Sequence, residues 1–292
     1  TYIYTKYENN KKLTKEDLKF IYEVDRDIEG FGYQKDPRVE EIKQGRDKRK
    51  DLACAYDCQE EEIGLNEADF RKANEKGIRL KYYIGNLDLS DLKSANGLLL
   101  PEIVKGNLYL NSLESAKDLE LPEIVKEDLD LSSLKNAEGL ELPEKVGYLN
   151  LKSLESAKGL ELPEIVKGNL ILSSLKNAEG LKFPEKVKIL DLSSLKSAEG
   201  LEFPKEAECL FLNSLKSAKS IKFPDKVEFL VLKSLKSAEG LELPKEVEYL
   251  SLDSLKSAEG LELPDGIDMN QVLLSEEIKK ELLTKQNSKR AR

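Results

Sequence analysis

The chain has 292 residues, 35% of them charged and 39% hydrophobic, and its formal net charge is −9. This apolar share is too high for a disordered chain, and the sequence has no apolar run of about 18 residues that could span a membrane. Nucleic-acid binding is disfavoured as well, because it requires a positively charged stripe, whereas lysine and glutamate are finely mixed here.

The first helix is predicted close to the N-terminus. Thr14 and Asp17 have the spacing of a capping box, in which each residue satisfies a backbone amide of the other. The helix is expected to end at Gly30. Its inward stripe would consist of Leu18, Ile21, Val24 and Ile28.

Two more helices are predicted before residue 80. The second opens at Asp36 and Pro37, because proline suits the first helical position, and its inward residues are Val39 and Ile42. The third runs from an N-cap at Asn66 to Gly77. Residues 1–80 differ wholly from the rest of the chain and are therefore predicted to form a helical capping domain.

Two short motifs in this region allow a functional and a structural interpretation. The basic run GRDKRK at 45–50 could contact an acidic partner or could be a solvated helix end, and the second is favoured. The segment GFGY at 30–33 could be a ligand loop. No phosphate-loop pattern follows it, so a helix stop with a turn is favoured.

The three cysteines make a poor disulfide framework. Cys54 and Cys58 are four residues apart, so a helix would place them on one face, as half of a metal site. The sequence has no histidine and no second cysteine pair that could complete such a site. Free thiols are therefore predicted for these two residues.

A repeat of 20 or 21 residues fills most of the chain after residue 80. Each unit is marked by a proline, and these are Pro101, Pro122, Pro143, Pro163, Pro184, Pro204, Pro224, Pro244 and Pro264. The first unit begins upstream of Pro101, so nine coils are predicted.

The unit PEKVGYLNLKSLESAKGLEL at 143–162 shows the pattern. Its apolar positions are Val146, Leu149, Leu151, Leu154, Ala157, Leu160 and Leu162. The stretches 149–151 and 160–162 alternate with period two and are predicted to be two short strands. No part of the unit is long enough for an amphipathic helix, so stacked coils would bury one another's side chains. The predicted fold class is mainly β, with a parallel β-solenoid over residues 81–272.

Polar and glycine columns are expected to form the corners of the coils. One polar column includes Ser153 and another includes Ser156. Serines repeated in columns without any histidine are not nucleophiles, so their side chains are predicted to hydrogen-bond the corner backbone. A glycine column, which includes Gly159, is predicted to supply a positive φ.

The repeats resemble two known families. Val146, Leu149 and Leu151 match the L-x-x-L-x-L consensus of leucine-rich repeats, and Leu154 lies where that consensus has asparagine or cysteine. The segments 104–110 and 166–172 look more like the receptor L domain, which implies a single-stranded right-handed β-helix. The SAEGLxLPE motif is also similar to repeats of uncharacterised bacterial proteins. These resemblances imply solenoid architecture and no particular activity.

A last helix is predicted after the repeats. Ser275 is its expected N-cap, and Ile278 and Leu282 would lie over the final coil. Residues 273–292 are therefore predicted to be a C-terminal capping helix with a polar tail.

Two outward positions of the first strand vary from coil to coil while the rest of the unit repeats. In the later coils these positions become apolar, and alternation places both on the exposed side of one sheet. An exposed apolar patch often marks a contact surface. The candidate partner-binding patch consists of Tyr148, Ile171, Ile189, Cys209, Phe211, Phe229, Val231 and Tyr249.

These features predict a non-enzymatic protein–protein recognition module that binds through the exposed face of the first-strand sheet. The alternative is a structural spacer or self-assembling subunit without a ligand of its own; carbohydrate binding is a weaker option, since tryptophan is absent. No catalytic residue, metal or cofactor is expected, because the repeated carboxylates, such as Glu161, form a solvated column. The expected partner is a protein or a second copy of the chain. The chain does not open with a signal-peptide pattern, so a cytoplasmic location is favoured.

Overall fold

The computed structural model describes residues 2–24, 28, 36–219 and 221–290, without the side chains of residues 283 and 285–290. The segment GFGY and the helix end predicted at Gly30 lie outside the described residues. The chain divides into two compact units. The first is Thr1–Gly85 with Leu99–Lys105, and the second is Asn86–Leu98 with Gly106–Arg292.

The helices and strands are named in chain order. The α-helices are α1 (Tyr2–Glu8), α2 (Lys15–Ile21), α3 (Pro37–Lys43), α4 (Lys48–Tyr56), α5 (Glu67–Glu75) and α6 (Glu276–Arg290). The strands are β1 (Ile63–Gly64), β2 (Tyr82–Tyr83), β3 (Leu87–Asp88), β4 (Ile103–Val104), β5 (Leu108–Tyr109), β6 (Ile124–Val125), β7 (Leu129–Asp130), β8 (Lys145–Val146), β9 (Leu149–Asn150), β10 (Ile165–Val166), β11 (Leu170–Ile171), β12 (Lys186–Asp191), β13 (Glu206–Phe211), β14 (Lys226–Val231), β15 (Glu246–Ser251) and β16 (Val272–Leu273). Short 3-10 helices cover Glu60–Glu62 and Met269–Gln271.

The first unit packs α1 to α4 around a small apolar core, places Phe70 of α5 edge-on against Tyr83 with ring centroids 6.4 Å apart, and ends in the parallel strands β1, β2 and β4. The predicted capping box of α2 is present, because Thr14 N–H donates to Asp17 Oδ2 at 2.8 Å and Asp17 N–H donates to Thr14 Oγ1 at 3.2 Å. The predicted length of this helix is wrong. It ends at Ile21, where Glu23 takes a φ of 54° and Val24 N–H closes the turn on Lys19 O at 2.9 Å, the geometry of a Schellman stop.

The other two predicted helices of this unit are confirmed. Helix α3 is capped by Asp36, begins at Pro37 and buries its two predicted inward residues. Helix α5 begins after Asn66, whose Oδ1 accepts from Asp69 N–H at 3.0 Å. Helices α1 and α4 were not predicted.

The second unit contains the predicted solenoid. Its sheet has ten parallel strands in the order β16-β15-β14-β13-β12-β11-β9-β7-β5-β3, so that each strand pairs with the equivalent strand of the next coil. Nine strands come from the nine predicted coils, and β16 adds a tenth from beyond the last repeat. Register is strict: Leu149 pairs with Leu170, and Leu170 with Leu190. All three side chains are completely buried.

The second predicted strand of each coil is placed wrongly. Residues 160–162 form no strand, because Leu160 N–H turns back onto Ala157 O at 3.0 Å and Pro163 has no N–H to donate. The additional pairing instead comes from the segment before the first strand, where β8 pairs with β10. In the later coils the two segments join into one six-residue strand, as in β12. In the 21-residue units the extra residue keeps them apart, and in the 20-residue unit of β8 and β9 the residues Gly147 and Tyr148 lie between the two strands.

The corners follow the predicted chemistry in part. Ser156 Oγ accepts from Lys158 N–H at 3.3 Å, and Asn177 Oδ1 accepts from Glu179 N–H at 2.8 Å. This confirms the hydrogen-bonding role for the second polar column. The glycine column has the predicted positive φ, with 75° at Gly159.

The predicted C-terminal helix covers the last coil. Ser275 Oγ accepts from Ile278 N–H at 3.4 Å, and Ile278 and Leu282 are buried as expected. Glu281 Oε2 also accepts from Ala258 N–H at 3.1 Å, which ties α6 to a corner of the solenoid. The final coil therefore does not leave its apolar side chains open to water.

Gly159 and Asp118 occupy the same corner position of different coils, with φ values of 75° and 61°. A Cβ on Gly159 would meet no atom within 4 Å, so the cost of Gly159→Ala comes from the left-handed backbone alone. We expect Gly159→Ala to lower the free energy of unfolding by about 1 kcal/mol, and Asp118→Gly to raise it by about 0.5 kcal/mol. Urea unfolding followed by circular dichroism measures both changes. Changes of the same sign would contradict a positive-φ requirement at this corner.

Candidate functional site

The candidate patch residues form two columns on the outer face of the ten-stranded sheet. The first column pairs, in order, Ile189, Cys209, Phe229 and Tyr249. The second column pairs, in order, Asn150, Ile171, Asp191, Phe211, Val231, Ser251 and Leu273. Strict stacking of the coils therefore brings residues about 20 positions apart in the chain into adjacent places.

Exposure differs among these residues. Phe229 is 42% exposed and its ring lies 5.7 Å from that of Tyr249, at a tilt of 34°. The half-buried members are Tyr148, Ile171, Ile189, Cys209, Phe211 and Tyr249. Val231 was expected to be exposed, but only 6% of its surface is accessible. It pairs with Phe211 on one side and follows Phe229 by two positions in its own strand, so these two larger side chains shield it.

The structure brings six of the eight predicted residues together. Asp191 separates Ile171 from Phe211 in the second column. Tyr148 lies in the gap between β8 and β9 rather than on a strand. The remaining six residues, called the apolar strip below, are Ile189, Cys209, Phe211, Phe229, Val231 and Tyr249.

Leu273 is an apolar neighbour that the sequence analysis missed. It is 39% exposed and lies next to Ser251, which is itself only 1% exposed. The signal was present, because Val-Leu-Leu at 272–274 repeats the inward–outward–inward order of Leu-Ser-Leu at 250–252. The segment 272–274 was overlooked because the coils were located by their prolines, and no repeat proline follows this segment.

The apolar residues of the second column replace a polar side chain that closes a turn. In four other coils the residue at this position accepts a hydrogen bond from the backbone N–H two residues later. The pairs are Asp88 with Ser90 at 3.0 Å, Asp130 with Ser132 at 2.8 Å, Asn150 with Lys152 at 3.2 Å and Asp191 with Ser193 at 2.9 Å. Phe211 and Val231 have no acceptor, so their coils give up a local bond that stabilises the corner.

A line of three carboxylates runs beside the apolar strip. Glu208, Glu228 and Glu248 each precede a residue of the first column and occupy matching positions of β13, β14 and β15. We call them the glutamate row. Among the residues that the structure describes, none of the three forms an ion pair or a hydrogen bond.

In the coils of β12 to β15, two neighbouring columns have the opposite arrangement, because their charge alternates in sign from one coil to the next. Ion pairs therefore form between coils, and they are Lys186 with Glu206 at 2.6 Å, Lys226 with Glu246 at 3.2 Å, Lys245 with Asp225 at 3.0 Å, and Lys205 with Glu185. The glutamate row departs from this pattern next to the apolar strip.

The glutamate row affects the thiol in the strip. Partial burial, followed by the negative charges of Glu208 and Glu228, raises the pKa of Cys209 above its usual value. A shallow recess of about 180 Å³ opens at the end of the row and is lined by Glu228, Glu248, Lys226 and Lys245. Both lysines of this recess are engaged in the ion pairs above, so Glu228, Glu248 and Asp265, which also lines the recess, are its charges without an ion pair among the described residues.

Other apolar surface in the second unit is of a different kind. Phe183, Phe203 and Phe223 stack with ring centroids 6.3 and 5.8 Å apart, but they are half-buried and belong to the packing of the corner before each proline. Ile124 and Ile165 are 40% and 41% exposed, and Lys145 occupies the equivalent position of the coil between them. Lys145 interrupts the second set, and no residue of the phenylalanine stack is as exposed as Phe229.

The basic run of the first unit is engaged within its own fold. Arg46 contacts Asp51 at 2.5 Å, and Arg49 contacts Asp69 at 2.5 Å and Glu60 O at 3.2 Å. Arg49 and Asp69 also line a recess of about 410 Å³. The run therefore lies at the start of α4, as the favoured helix-end interpretation predicted, but Arg46 and Arg49 are ion-paired and half-buried rather than solvated, and Arg49 holds α4 to α5.

The cysteines are free thiols, as predicted. Cys54 is exposed, whereas Cys58 and Cys209 are half-buried. In the described part of the chain, no group of three or more histidine, cysteine or carboxylate side chains is arranged to hold a metal ion. None of the described helices combines the length and the hydropathy that a bilayer crossing requires.

No protein-family model matches this chain, and neither does any curated protein or any solved structure.

The effect of the glutamate row on Cys209 can be measured by alkylation. Replacing Glu208 and Glu228 by Gln removes two negative charges near the thiol, so the pKa of Cys209 should fall and its thiolate fraction should rise. We expect iodoacetamide to modify Cys209 faster in E208Q/E228Q than in the wild type at pH 8, with mass spectrometry resolving Cys209 from Cys54. The variant E242Q/E262Q loses the same charge elsewhere and should keep the wild-type rate. Equal rates in all three proteins would show that the row does not act on this thiol.

Proposed function

We propose that this protein is a non-enzymatic recognition module that binds a partner protein through the apolar strip. The observation that carries the proposal is the departure of the strip from the repeat. Phe211 and Val231 occupy a position where four other coils keep a turn-closing Asp or Asn, and Phe229 stays 42% exposed. A residue that departs from the sequence pattern of its fold and gives up a stabilising local interaction is often part of a functional surface.

Aromatic side chains suit this role. Phe, Tyr and Trp anchors carry most of the binding energy in many interfaces, because they bury a large area with few rotatable bonds. Phe229 and Tyr249 lie side by side on neighbouring strands, and Phe211 follows on the adjacent column. The strip therefore offers a compact set of anchors on a rigid sheet.

We further propose that the solenoid is of the leucine-rich-repeat or receptor L domain type, related to the SAEGLxLPE repeats of bacterial proteins. The support is the leucine columns that stack in register and the parallel pairing of one sheet from coil to coil. The three free thiols favour a reducing compartment such as the cytoplasm. The described charges of the repeats are solvated or ion-paired, which favours binding over catalysis.

The second candidate is a self-assembling subunit or spacer. The same strip could be covered by another copy of the chain, since an exposed apolar surface does not specify its occupant. Sedimentation velocity separates the two candidates. A subunit that self-assembles through the strip associates as concentration rises and loses this association in F211S/F229S, whereas a recognition module stays monomeric.

The proposal is tested by cross-linking at the strip itself. In a C54S/C58S background, a photoreactive maleimide on Cys209 should cross-link the partner in extracts of the native source. We expect F211S/F229S to weaken binding of the partner, once identified, by about thirtyfold or more, as for the loss of interface anchors.

The matched control is I124S/I165S, which removes two equally exposed apolar side chains from a different column. It should leave both the cross-link and the affinity unchanged. Equal behaviour of the two variants, with circular dichroism showing an intact fold, would exclude the apolar strip as the binding site.

A further inference from the structure

The glutamate row is electrostatically unfavourable in the isolated protein. Adjacent strands are about 4.8 Å apart, and like charges placed directly opposite one another on neighbouring strands destabilise a sheet. The flanking columns avoid this by alternating lysine with glutamate or aspartate. Across β13, β14 and β15 these flanking columns pair their charges, whereas the glutamate row forms no ion pair among the described residues and lies directly beside the apolar strip, so a cationic partner would neutralise it.

The position of the row defines what such a partner must look like. Glu208 precedes Cys209, Glu228 precedes Phe229 and Glu248 precedes Tyr249, so the row runs parallel to the apolar strip along the stacking direction. A complementary surface therefore carries a line of cationic groups beside a line of apolar groups.

The spacing of the row favours an α-helix over an extended segment. Glu208 and Glu248, the two ends of the row, are separated by two strand spacings, or about 9.6 Å along the stacking direction. Helical residues i and i+7, with i+3 or i+4 between them, span about 10.5 Å on one face. Side chains on one face of an extended strand repeat every 6.6 Å or so, and two steps cover about 13 Å. A helix that lies along the stacking direction stays in step with all three carboxylates.

The recess at the end of the glutamate row could receive one side chain from the end of such a helix. Its volume of about 180 Å³ is below the range of roughly 300–1,000 Å³ that is usual for small-molecule sites. Glu228 and Glu248 both line it, and Lys226 and Lys245 are held by Glu246 and Asp225. The recess can therefore receive the end of a single lysine or arginine side chain.

We propose that the segment recognised by the apolar strip is a basic amphipathic helix, whose lysine or arginine residues contact Glu208, Glu228 and Glu248 while its apolar residues cover Phe211, Phe229 and Tyr249. This inference rests on the proposed function, since it names the chemistry of the partner at the same surface. The helix belongs to a different protein, and its axis follows the stacking direction of the coils.

The probe for the test is a fluorescein-labelled synthetic helix of about 15 residues, long enough to populate the helical state, with lysine and leucine on adjacent faces. Fluorescence anisotropy at low salt measures its affinity for the full chain. We expect E228Q/E248Q to weaken binding about fivefold, from the loss of two surface ion pairs. F211S/F229S should weaken it further, and a probe with glutamate in place of lysine should not bind.

The matched control is E242Q/E262Q, which removes two exposed glutamates and lowers the negative charge of the chain by the same amount. It should bind the probe as the wild type does. An equal loss in both variants would reduce the binding to general attraction by an acidic protein and overturn the inference. Binding that does not respond to F211S/F229S would place the helix elsewhere and overturn it as well.

Two further outcomes would overturn this inference without affecting the proposed function. A probe that does not bind the wild type would show that the partner is not a basic amphipathic helix, while the cross-linking at Cys209 still reports on partner binding. Self-association that is lost in E228Q/E248Q but kept in E242Q/E262Q would identify a second copy of the chain as the occupant. Failure of the proposed function would instead appear as equal cross-linking by F211S/F229S and I124S/I165S.

Discussion

The fold of the second unit depends on backbone hydrogen bonding between equivalent residues of successive coils. Leu149 N–H donates to Asn169 O, and Leu151 N–H donates to Ile171 O, each at 2.9 Å. This parallel ladder fixes the register, and register places each leucine on its counterpart in the next coil. A single coil cannot bury its own leucines, so stability comes from the interfaces between coils. Any change that shifts the register by one residue would turn this apolar set towards water.

The same constraint determines where the sequence is free to vary. Inward positions and corner positions repeat because each must fit the coils above and below it, as at Leu149 and Gly159. Outward strand positions meet only solvent and their sideways neighbours, so Asp191 and Phe211 can follow one another in one column. The residues that can determine which partner a solenoid binds therefore lie on the outer face of the sheet. In this protein that face carries the apolar strip and the glutamate row side by side.

Charge follows the stacking as well. A column in which sign alternates supplies a weak ion pair at every step, whereas a column of like charge accumulates repulsion, because stacking repeats the same short separation. Lys186 and Glu206 illustrate the first case, and Glu208 with Glu228 the second. Within one sheet, the glutamate row is therefore a local surplus of negative charge beside the aromatic rings of the apolar strip. A surface that carries cationic and apolar side chains next to one another would neutralise the charge and cover the rings.

The sequence by itself determined the solenoid, its coil length, its buried columns and its C-terminal cap, because a repeat that recurs every 20 or 21 residues can bury leucine only by stacking. It also identified the apolar outward positions, since alternation depends on local geometry alone. Only the tertiary structure decided that residues 160–162 are not a strand, because Pro163 and a turn at Leu160 consume the backbone groups there. It also decided that Val231 is shielded, that Leu273 extends the apolar surface, and that Glu208, Glu228 and Glu248 form no ion pair with any residue that the structure describes. Each of these depends on which side chains stand next to one another across coils, and residues 20 positions apart in the chain become neighbours only when the register is known.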